Sequence, residues 1–208
     1  MLVGDPGRAL LLAQALLEEP KMSNHARGLW GYSGEGPGGE LTVQATGMGG
    51  PSAAIVLADL AELGVHRAVR IGTCLGFPPQ GRTGDLLLVE EARAEGGSAA
   101  SFGVAAGKSV EPDPELTHRL EQELAGEASR AAVASFDAMP AAGEPAPAGI
   151  AAADLQTVAV LARARALGIA AAAVLIVAEA AGEAALSDSA LEDSAKRAGR
   201  AAARVLSG

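Results

Sequence analysis

The segment Arg70-Ile-Gly-Thr-Cys-Leu-Gly76 carries the groups that bind an oxyanion. It follows the strand-like residues 66–69, so the Arg70 guanidinium, the Thr73 hydroxyl and several backbone N–H groups stand at the carboxyl end of a strand. A fixed cation, a hydroxyl and converging amides form the kind of cradle that an oxyanion occupies. Because Arg70 ends a strand with a buried pattern, where an unpaired charge would be costly, a bound anion explains its presence better than a surface role.

Two further turns suit the same purpose. Val3-Gly-Asp-Pro-Gly-Arg8 opens into a helical pattern, which places backbone amides and Arg8 at a helix N-terminus, where anions bind. Thr46-Gly-Met-Gly-Gly-Pro-Ser52 follows a strand-like segment and makes a second glycine-rich turn into a helix. Taken alone, each arginine would be a solvated surface charge. Together the segments predict one phosphate-binding site.

Strand-like and helix-like patterns alternate along the chain, which predicts an α/β domain with helices on both faces of a sheet. Several strands are apolar on both faces, as buried central strands are. We find no internal repeat and no domain boundary, so residues 1–208 are predicted to form one domain. The predicted strands are residues 40–45, 68–71, 85–92, 131–135, 149–153 and 171–177. The predicted helices are residues 8–17, 52–63, 114–124, 157–167 and 190–206.

Local signals mark one helix start and two loops. Ser189-Ala-Leu-Glu192 fits a capping box, in which Ser189 and Glu192 satisfy each other's free amides at the start of the last helix. Residues 139–148 are too rich in proline and glycine for regular structure and are predicted to be a surface loop or lid. Residues 95–103 are a second candidate for a mobile segment.

The composition excludes several classes of function. The formal net charge of −9 excludes a nucleic-acid partner, since phosphate backbones bind to basic surfaces. The single cysteine, Cys74, excludes an intrachain disulfide, and the three histidines lack metal-ligand spacing, so no metal is predicted. No window reaches the ~18 uninterrupted apolar residues of a membrane span. We therefore expect a cytoplasmic protein with no membrane partner.

The motifs resemble those of the nucleoside phosphorylase family that includes the hexameric purine nucleoside phosphorylases and the uridine phosphorylases. The resemblance is strongest up to about residue 103. It implies a single three-layer α/β/α domain with a central, mostly buried mixed sheet, a homo-oligomer (a dimer or a trimer of dimers), and inorganic phosphate as co-substrate with no cofactor. The matching pieces, in the family's order and close to its spacing, are Gly4-Asp-Pro-Gly-Arg8, Asn24-His-Ala-Arg-Gly-Leu-Trp-Gly31, Gly47-Met-Gly-Gly-Pro-Ser52 and Arg70-Ile-Gly-Thr-Cys74.

The resemblance assigns roles around the phosphate. Gly4 supplies an amide, Arg8 and Arg70 supply planar guanidinium forks, and Thr73 supplies a hydroxyl and its own amide. Arg27 is implied to reach the phosphate of a neighbouring subunit, so that the active unit is at least a dimer.

At the sugar, the family has a Glu-Met-Glu run whose second Glu accepts hydrogen bonds from ribose hydroxyls, and this chain has Asp154-Leu155-Gln156. Gln156 is expected to accept from one hydroxyl and donate to another, without bringing negative charge to the developing cation. A neutral hydrogen bond contributes about 0.5–1.5 kcal/mol, against about 1.5–3 kcal/mol when one partner is charged. Leu155 and Met48 are implied to lie against the ribose, although Met48 is also the kind of side chain that fills a gap in a core.

At the base, purine-specific members use an acidic residue after the last central strand, assisted by a later arginine. Glu179 stands at the position of the acidic residue, where it either donates a proton or is simply solvated. Glu192 stands at the position of the arginine. It cannot replace a cation, and the capping box explains its presence. Cys74 and Met139 are implied to line the base pocket. Residues 144–147 lack the Gln and Arg with which uridine-specific members read a pyrimidine, which favours a purine.

The resemblance therefore implies phosphorolysis of a purine nucleoside to free base and ribose 1-phosphate, catalysed by a pentosyltransferase that the altered sugar and base positions would slow. Two alternatives stay open. One is a homologue that binds phosphate and nucleoside without efficient turnover, since binding groups and transition-state groups are separable. The other is a hydrolytic nucleosidase, against which the three arginines argue because a water nucleophile gains nothing from them.

Overall fold

Helices and strands alternate throughout the computed structural model of the chain, which describes residues 1–141 and 144–207. In that part of the chain, ten strands form one sheet. The strands are β1 (Leu2–Val3), β2 (Glu18–Asn24), β3 (Gly31–Gly36), β4 (Gly39–Ala45), β5 (Arg67–Gly76), β6 (Leu86–Ala94), β7 (Ser109–Val110), β8 (Ala128–Ser135), β9 (Ala152–Asp154) and β10 (Ala170–Ala180). The helices are α1 (Pro6–Leu16), α2 (Gly50–Glu62), α3 (Pro114–Leu124), α4 (Thr157–Ala166) and α5 (Asp188–Leu206).

The long strand β5 organises the sheet. Its first half pairs in parallel with β1, and its last residues pair antiparallel with β9. Along its whole length β5 also pairs in parallel with β10, which closes a ring of strands through β6, β8 and β9. Beyond β1 the sheet continues through β4, β3 and β2, and β7 pairs with β6. The sheet is therefore mixed, as predicted.

Helices cover both faces of the sheet. The apolar side chains of α1, α3 and α5 form one buried cluster with Val3, Ile71 and Val174, and those of α2 and α4 form another with Leu2, Leu87 and Leu175. Much of each cluster is alanine and valine, in keeping with the 2% aromatic content of the chain. Small side chains let helices approach the sheet closely. This arrangement confirms the predicted three-layer α/β fold.

Capping side chains determine where the helices begin. Asp5 accepts from the amide of Arg8 at 2.7 Å, and Pro6 occupies the first turn of α1. The capping box predicted for Ser189 and Glu192 is wrong. Helix α5 begins earlier, because the Ser187 hydroxyl accepts from the amide of Ala190 at 3.3 Å and leaves Ser189 inside the first turn.

The predicted helices agree with the structure to within two residues at each end, whereas short or polar strands were missed. β1 and β7 have two residues each, and β2 and β3 are rich in polar residues and glycine. The segment 95–103 contains a 3-10 helix over Gly97–Phe102. Within the predicted loop 139–148, residues 142 and 143 lie outside the described residues, and the others carry no helix or strand. None of the described helices is long and apolar enough to span a membrane.

Candidate functional site

The carboxyl ends of β1, β4, β5 and β10 open into one cavity of about 650 Å³. Parallel neighbours bring their carboxyl ends to the same edge of a sheet, which is where α/β proteins bind ligands. The cavity contains all but one of the residues to which the sequence assigned a role. These are Gly4, Arg8, Met48, Arg70, Thr73, Cys74, Met139, Leu155, Gln156 and Glu179. Arg27 is not part of its lining.

Arg8 lies half-buried in the first turn of α1. Burial lowers the pKa of its guanidinium, the carboxylate of Asp5 raises that pKa, and the positive charge of Arg70 lowers it again. Arg8 and Arg70 therefore act on each other electrostatically inside the cavity. An anion between them would relieve both the burial and the repulsion.

The two glycine-rich turns meet beside Arg8. A Cβ added at Gly4 would lie 3.5 Å from the carbonyl oxygen of Gly47, so the turns after β1 and β4 touch. Gly47 and Gly49 adopt φ values of 71° and 79°, which favour glycine. The conformation of the turn after β4 thus depends on residues without side chains.

Arg70 is buried, and each of its three guanidinium nitrogens donates a hydrogen bond to a protein group. Its Nη2 donates to Asp154 Oδ2 at 2.9 Å, its Nη1 to Gln156 Oε1 at 2.7 Å, and its Nε to Thr157 Oγ1 at 3.3 Å. A Cβ at Gly72 would come within 2.5 Å of Arg70 Nη2, so glycine is required where the guanidinium folds back along β5. The Arg70 guanidinium, which was predicted to bind an anion, is therefore already paired with the Asp154 carboxylate.

Asp154 is the residue that sequence reasoning missed. Its carboxylate is buried and also accepts from the amide and hydroxyl of Thr157 and from the Ser135 hydroxyl. The signal that could have revealed it is an acidic residue at the end of an apolar strand, directly before the Gln156 that the resemblance had singled out. Such a residue has to find a cation, and Arg70 is the neighbour that supplies one.

Gln156 is also saturated. Its Oε1 accepts from Arg70 and from the Thr46 hydroxyl at 3.0 Å, and its Nε2 donates to the carbonyls of Gly47 at 2.6 Å and Gly49 at 3.2 Å. From the sequence, this amide was expected to have hydrogen-bonding positions free for ribose hydroxyls. In the structure the amide instead joins Arg70 to the turn that contains Met48.

The remaining residues that were predicted to contact the ligands differ in exposure. Met48 is 88% exposed at the cavity, so the alternative in which it fills a gap in the core is wrong. Thr73 and Leu155 are half-buried. Burial and the nearby Asp154 raise the pKa of the Cys74 thiol, with Arg70 opposing them, so Cys74 is a neutral side chain that contributes shape.

Glu179 and Met139 complete the predicted residues of the lining. Glu179 is exposed, directly after an irregularity in the pairing of β10 with β5 between Val177 and Glu179. Such an irregularity re-aims a side chain at the edge of a sheet. Met139 is 42% exposed. Glu192 is an exposed residue of α5 and is not part of the cavity lining. Its Oε2 lies 3.8 Å from Nζ of Lys196.

Arg27 lies at the surface in a braced turn. Its φ of 56° is unusual for a residue with a side chain. Asn24 holds the turn, because its Nδ2 donates to the Leu29 carbonyl at 2.6 Å and its Oδ1 accepts from the Ala26 amide at 3.1 Å. Arg27 is thus an exposed residue of a turn that Asn24 stabilises.

Metal-binding groups do not cluster in this region. Among the described residues, no three His, Cys, Asp or Glu side chains stand together in a way that could hold a metal ion. The prediction of a site without a metal stays a prediction.

Comparison with known proteins gives matches of two kinds. A family model described as the phosphorylase superfamily matches residues 1–208. The chain is 38% identical over 96 residues to "purine nucleoside phosphorylase DeoD-type" of Oceanobacillus iheyensis, a match that covers 46% of this chain and 41% of that protein. It is 41% identical over 91 residues to the protein of the same name from Limosilactobacillus reuteri, covering 43% and 39%. The chain thus spans about two fifths of the length of the curated relatives that it matches.

Proposed function

The chain belongs to the phosphorylase superfamily, and on this basis we propose that it transfers the pentosyl group of a purine nucleoside to inorganic phosphate. The products are the free base and ribose 1-phosphate. Phosphate is the co-substrate, and no cofactor takes part.

One observation carries this proposal: cationic and acidic side chains share the lining of a single cavity. Gly4, Arg8 and Thr73 lie on its lining together with Glu179, and its volume of about 650 Å³ falls within the range of small-molecule sites, ~300–1,000 Å³. Phosphorolysis needs both kinds of group: a cation to hold the phosphate nucleophile and an acid to protonate the departing base.

The phosphate end is assigned to Gly4, Arg8, Arg70 and Thr73. Since Asp154 already balances the charge of Arg70, Arg8 supplies most of the charge that is free to hold the anion. Arg70 then contributes through its two remaining N–H groups and its fixed position. A phosphate held in this way keeps negative charge near the sugar, where the transition state becomes cationic.

The reaction forms one bond and breaks another. A phosphate oxygen bonds to C1′ of the sugar while the bond from C1′ to the base nitrogen breaks, and its electron pair moves onto the base. Glu179 in its protonated form donates a proton to a ring nitrogen of the base and becomes a carboxylate. Met48 and Leu155 would pack against the sugar, and Met139 and Cys74 would face the base.

Arg27 is assigned to the site of a second copy of the chain. It is exposed, lies in the turn that Asn24 stabilises, and is absent from the lining of its own cavity. We therefore infer a homo-oligomer, at least a dimer, in which each subunit lends Arg27 to its neighbour. We also place the protein in the cytoplasm, where the single thiol of Cys74 stays reduced.

A second candidate function is favoured by the saturated amide of Gln156. If no side chain stabilises the cationic sugar, the chain would bind phosphate and nucleoside but turn over slowly. A hydrolytic nucleosidase is less well supported, because water as nucleophile leaves the guanidinium group of Arg8 without a role.

The decisive experiment is a substrate panel. Inosine, guanosine, adenosine, uridine and methylthioadenosine are each incubated with the protein, with and without phosphate, and free base is measured. Release of purine that requires phosphate is the expected result. Release without phosphate would identify a nucleosidase, and binding without release would identify the slow relative.

A further inference from the structure

Glu179 directly follows one extra residue in β10. Val177 is paired with Cys74 of β5 and Glu179 with the next residue of β5, Leu75, so Ala178 is the additional residue of a bulge. A bulge of this kind changes the direction of the side chains beside it. The direction of the Glu179 carboxyl therefore depends on what holds the bulge in place.

Two loops bind the backbone of the bulge. In the loop before β6, the Gly84 amide donates to the Val177 carbonyl at 2.9 Å, and the Asp85 carbonyl accepts from the Val177 amide at 3.0 Å. In the loop after β10, the Leu186 amide donates to the Ala178 carbonyl at 2.8 Å. A shift of either loop would therefore move the bulge and the acid that follows it.

A side-chain carboxylate joins these two loops. Glu183, in the loop after β10, accepts from the Thr83 backbone amide at 2.7 Å and from Arg82 Nε at 2.9 Å, with one bond to each oxygen. The Glu183 side chain is 23% exposed and that of Arg82 is 68% exposed. The hydrogen bond from the Thr83 amide, and then that from Arg82, lowers the pKa of the Glu183 carboxyl, so it is charged at neutral pH.

The bond to the Thr83 amide is the stronger of the two links. It is a charge-assisted hydrogen bond, and Thr83 directly precedes Gly84, whose amide binds the bulge. The contact with Arg82 is an exposed ion pair, which stabilises little because water and salt screen it. Neither Glu183 nor Arg82, both in the described part of the chain, lies on the cavity lining. Any effect of Glu183 on the reaction therefore passes through other residues.

On the premise of the proposed function, we propose that Glu183 is a positioning residue for the general acid Glu179. By holding the Thr83 amide, Glu183 fixes the loop that binds the bulge, and the bulge directs the Glu179 carboxyl toward the base. The carboxyl has to lie within hydrogen-bond reach of the base nitrogen that it protonates, and a displacement of about 1 Å lowers a rate by ~10²-fold. The phosphate site around Arg8 lies outside this chain of contacts.

Steady-state kinetics of Glu183→Ala with inosine and phosphate tests the proposal. We expect kcat to fall about 10- to 100-fold while the KM for phosphate stays within about twofold, because the acid is misplaced and the anion site is not. Glu183→Gln should keep kcat within about threefold of the unmodified protein, since its amide oxygen can still accept from Thr83 while the exposed Arg82 turns away. Glu127→Ala removes the carboxylate of another exposed pair, 3.5 Å from Arg197, and is the matched control with normal kinetics. An unchanged kcat in Glu183→Ala would overturn the proposal.

A substrate that needs no acid separates positioning of Glu179 from a general loss of structure. The base of 7-methylinosine already carries a positive charge, so it departs with the electron pair of the broken bond and without taking a proton. Glu183→Ala should therefore turn over 7-methylinosine with a kcat within about threefold of that of the unmodified protein. A loss as large as that with inosine would mean that Glu183 supports the site as a whole, which contradicts the proposal.

The double variant Glu179→Gln/Glu183→Ala gives an independent measure. If Glu183 acts only through Glu179, the double variant has the kcat of Glu179→Gln alone, because no acid is left to misplace. Losses that multiply would show that Glu183 acts by another route and would refute the proposal. Each variant is checked for folding by circular dichroism. Glu183→Met, which has a similar length but no acceptor oxygen, replaces Glu183→Ala if that variant does not fold, and failure of both to fold would make Glu183 a residue of the fold alone.

The proposed function can fail in a way that these measurements distinguish. Without phosphate-dependent release of base by the unmodified protein, the proposed function falls, and this inference falls with it. If release is normal in the unmodified protein and strongly reduced in Glu179→Gln but unchanged in Glu183→Ala, the inference alone is wrong. If release is also normal in Glu179→Gln, phosphorolysis stands and there is no acid at this position for Glu183 to position.

Discussion

Arg70 and Asp154 form a salt bridge of 2.9 Å inside the protein, with side chains 5% and 0% exposed. The pair joins the middle of β5 to the end of β9 and places a buried cation on the lining of the cavity. The Asp154 carboxylate offsets the free-energy cost of burying the Arg70 guanidinium without a ligand. Its hydrogen bonds to Thr157 also fix the start of α4.

Asp154→Asn is expected to destabilise the fold by ~3–5 kcal/mol, because it keeps the shape of the side chain but leaves Arg70 buried without a counter-ion. Urea denaturation followed by circular dichroism measures the loss. Glu123→Gln, which breaks the exposed pair with Arg204 at 2.9 Å, is the matched control and should cost less than ~1 kcal/mol. Equal effects of the two changes would show that the buried pair is not structurally important.

Arg8→Ala is expected to weaken phosphate binding by about 10- to 100-fold, the loss of one charge-assisted hydrogen bond. The KM for phosphate in the base-release assay measures it. Arg130→Ala removes an arginine of the exposed pair with Glu121, distant from the cavity lining, and should leave that KM unchanged. A normal KM for phosphate in Arg8→Ala would place the anion elsewhere.

Glu179→Gln is expected to lower kcat by about 10²–10⁴-fold, the usual contribution of a general acid, with a smaller effect on nucleoside KM. Steady-state kinetics with inosine checks this. Glu192→Gln, at an exposed position of α5, serves as control and should turn over normally. Unchanged kcat in Glu179→Gln would remove this carboxyl from the mechanism.

Mixing two inactive variants tests whether Arg27 acts in a neighbouring subunit. Arg27→Ala and Arg8→Ala, each impaired alone, should regain activity when unfolded and refolded together, since a mixed dimer contains one site with both arginines. Random pairing into dimers would restore about a quarter of the normal activity. Sedimentation should show an assembly in each case. If a correctly assembled mixture recovers no activity, Arg27 does not act in the site of a neighbouring subunit.

Ser98→Ala should reduce stability at neutral pH but much less in acid. Hydrogen bonds from the Ser98 hydroxyl and amide lower the pKa of the Asp137 carboxyl. A carboxyl whose pKa is lowered by folding stabilises the folded state at pH values above the ordinary pKa of Asp, ~3.9. This contribution is lost as the pH falls through the pKa of the carboxyl in the folded state. Because the pair is exposed, the difference at pH 7 should stay below ~1 kcal/mol.

Urea denaturation at pH 7 and at pH 3 compares Ser98→Ala with Ser101→Ala, an exposed serine of the same 3-10 helix. The Ser101 variant should match the parent protein at both pH values. A Ser98→Ala defect that is as large at pH 3 as at pH 7 would show that the carboxylate is not its cause.

Local patterns in the sequence were enough to predict the helices and the long apolar strands. The helix-like pattern over residues 114–124 placed α3, and the apolar run of β10 was recognised without knowing its partners. Both signals lie within one element, so neither depends on how the chain folds. The glycine-rich turns and arginines that line the cavity were likewise visible as short motifs.

Contacts between distant residues decided the rest. The Gln156 amide reaches the Gly47 carbonyl across 109 residues, and Arg70 reaches Asp154 across 84. Whether a polar side chain has free hydrogen-bonding positions depends on every neighbour that the fold brings to it, and no local pattern contains that information. The sequence by itself therefore indicated most of the residues that line the cavity, and only the tertiary structure decided which of them are free to meet a ligand.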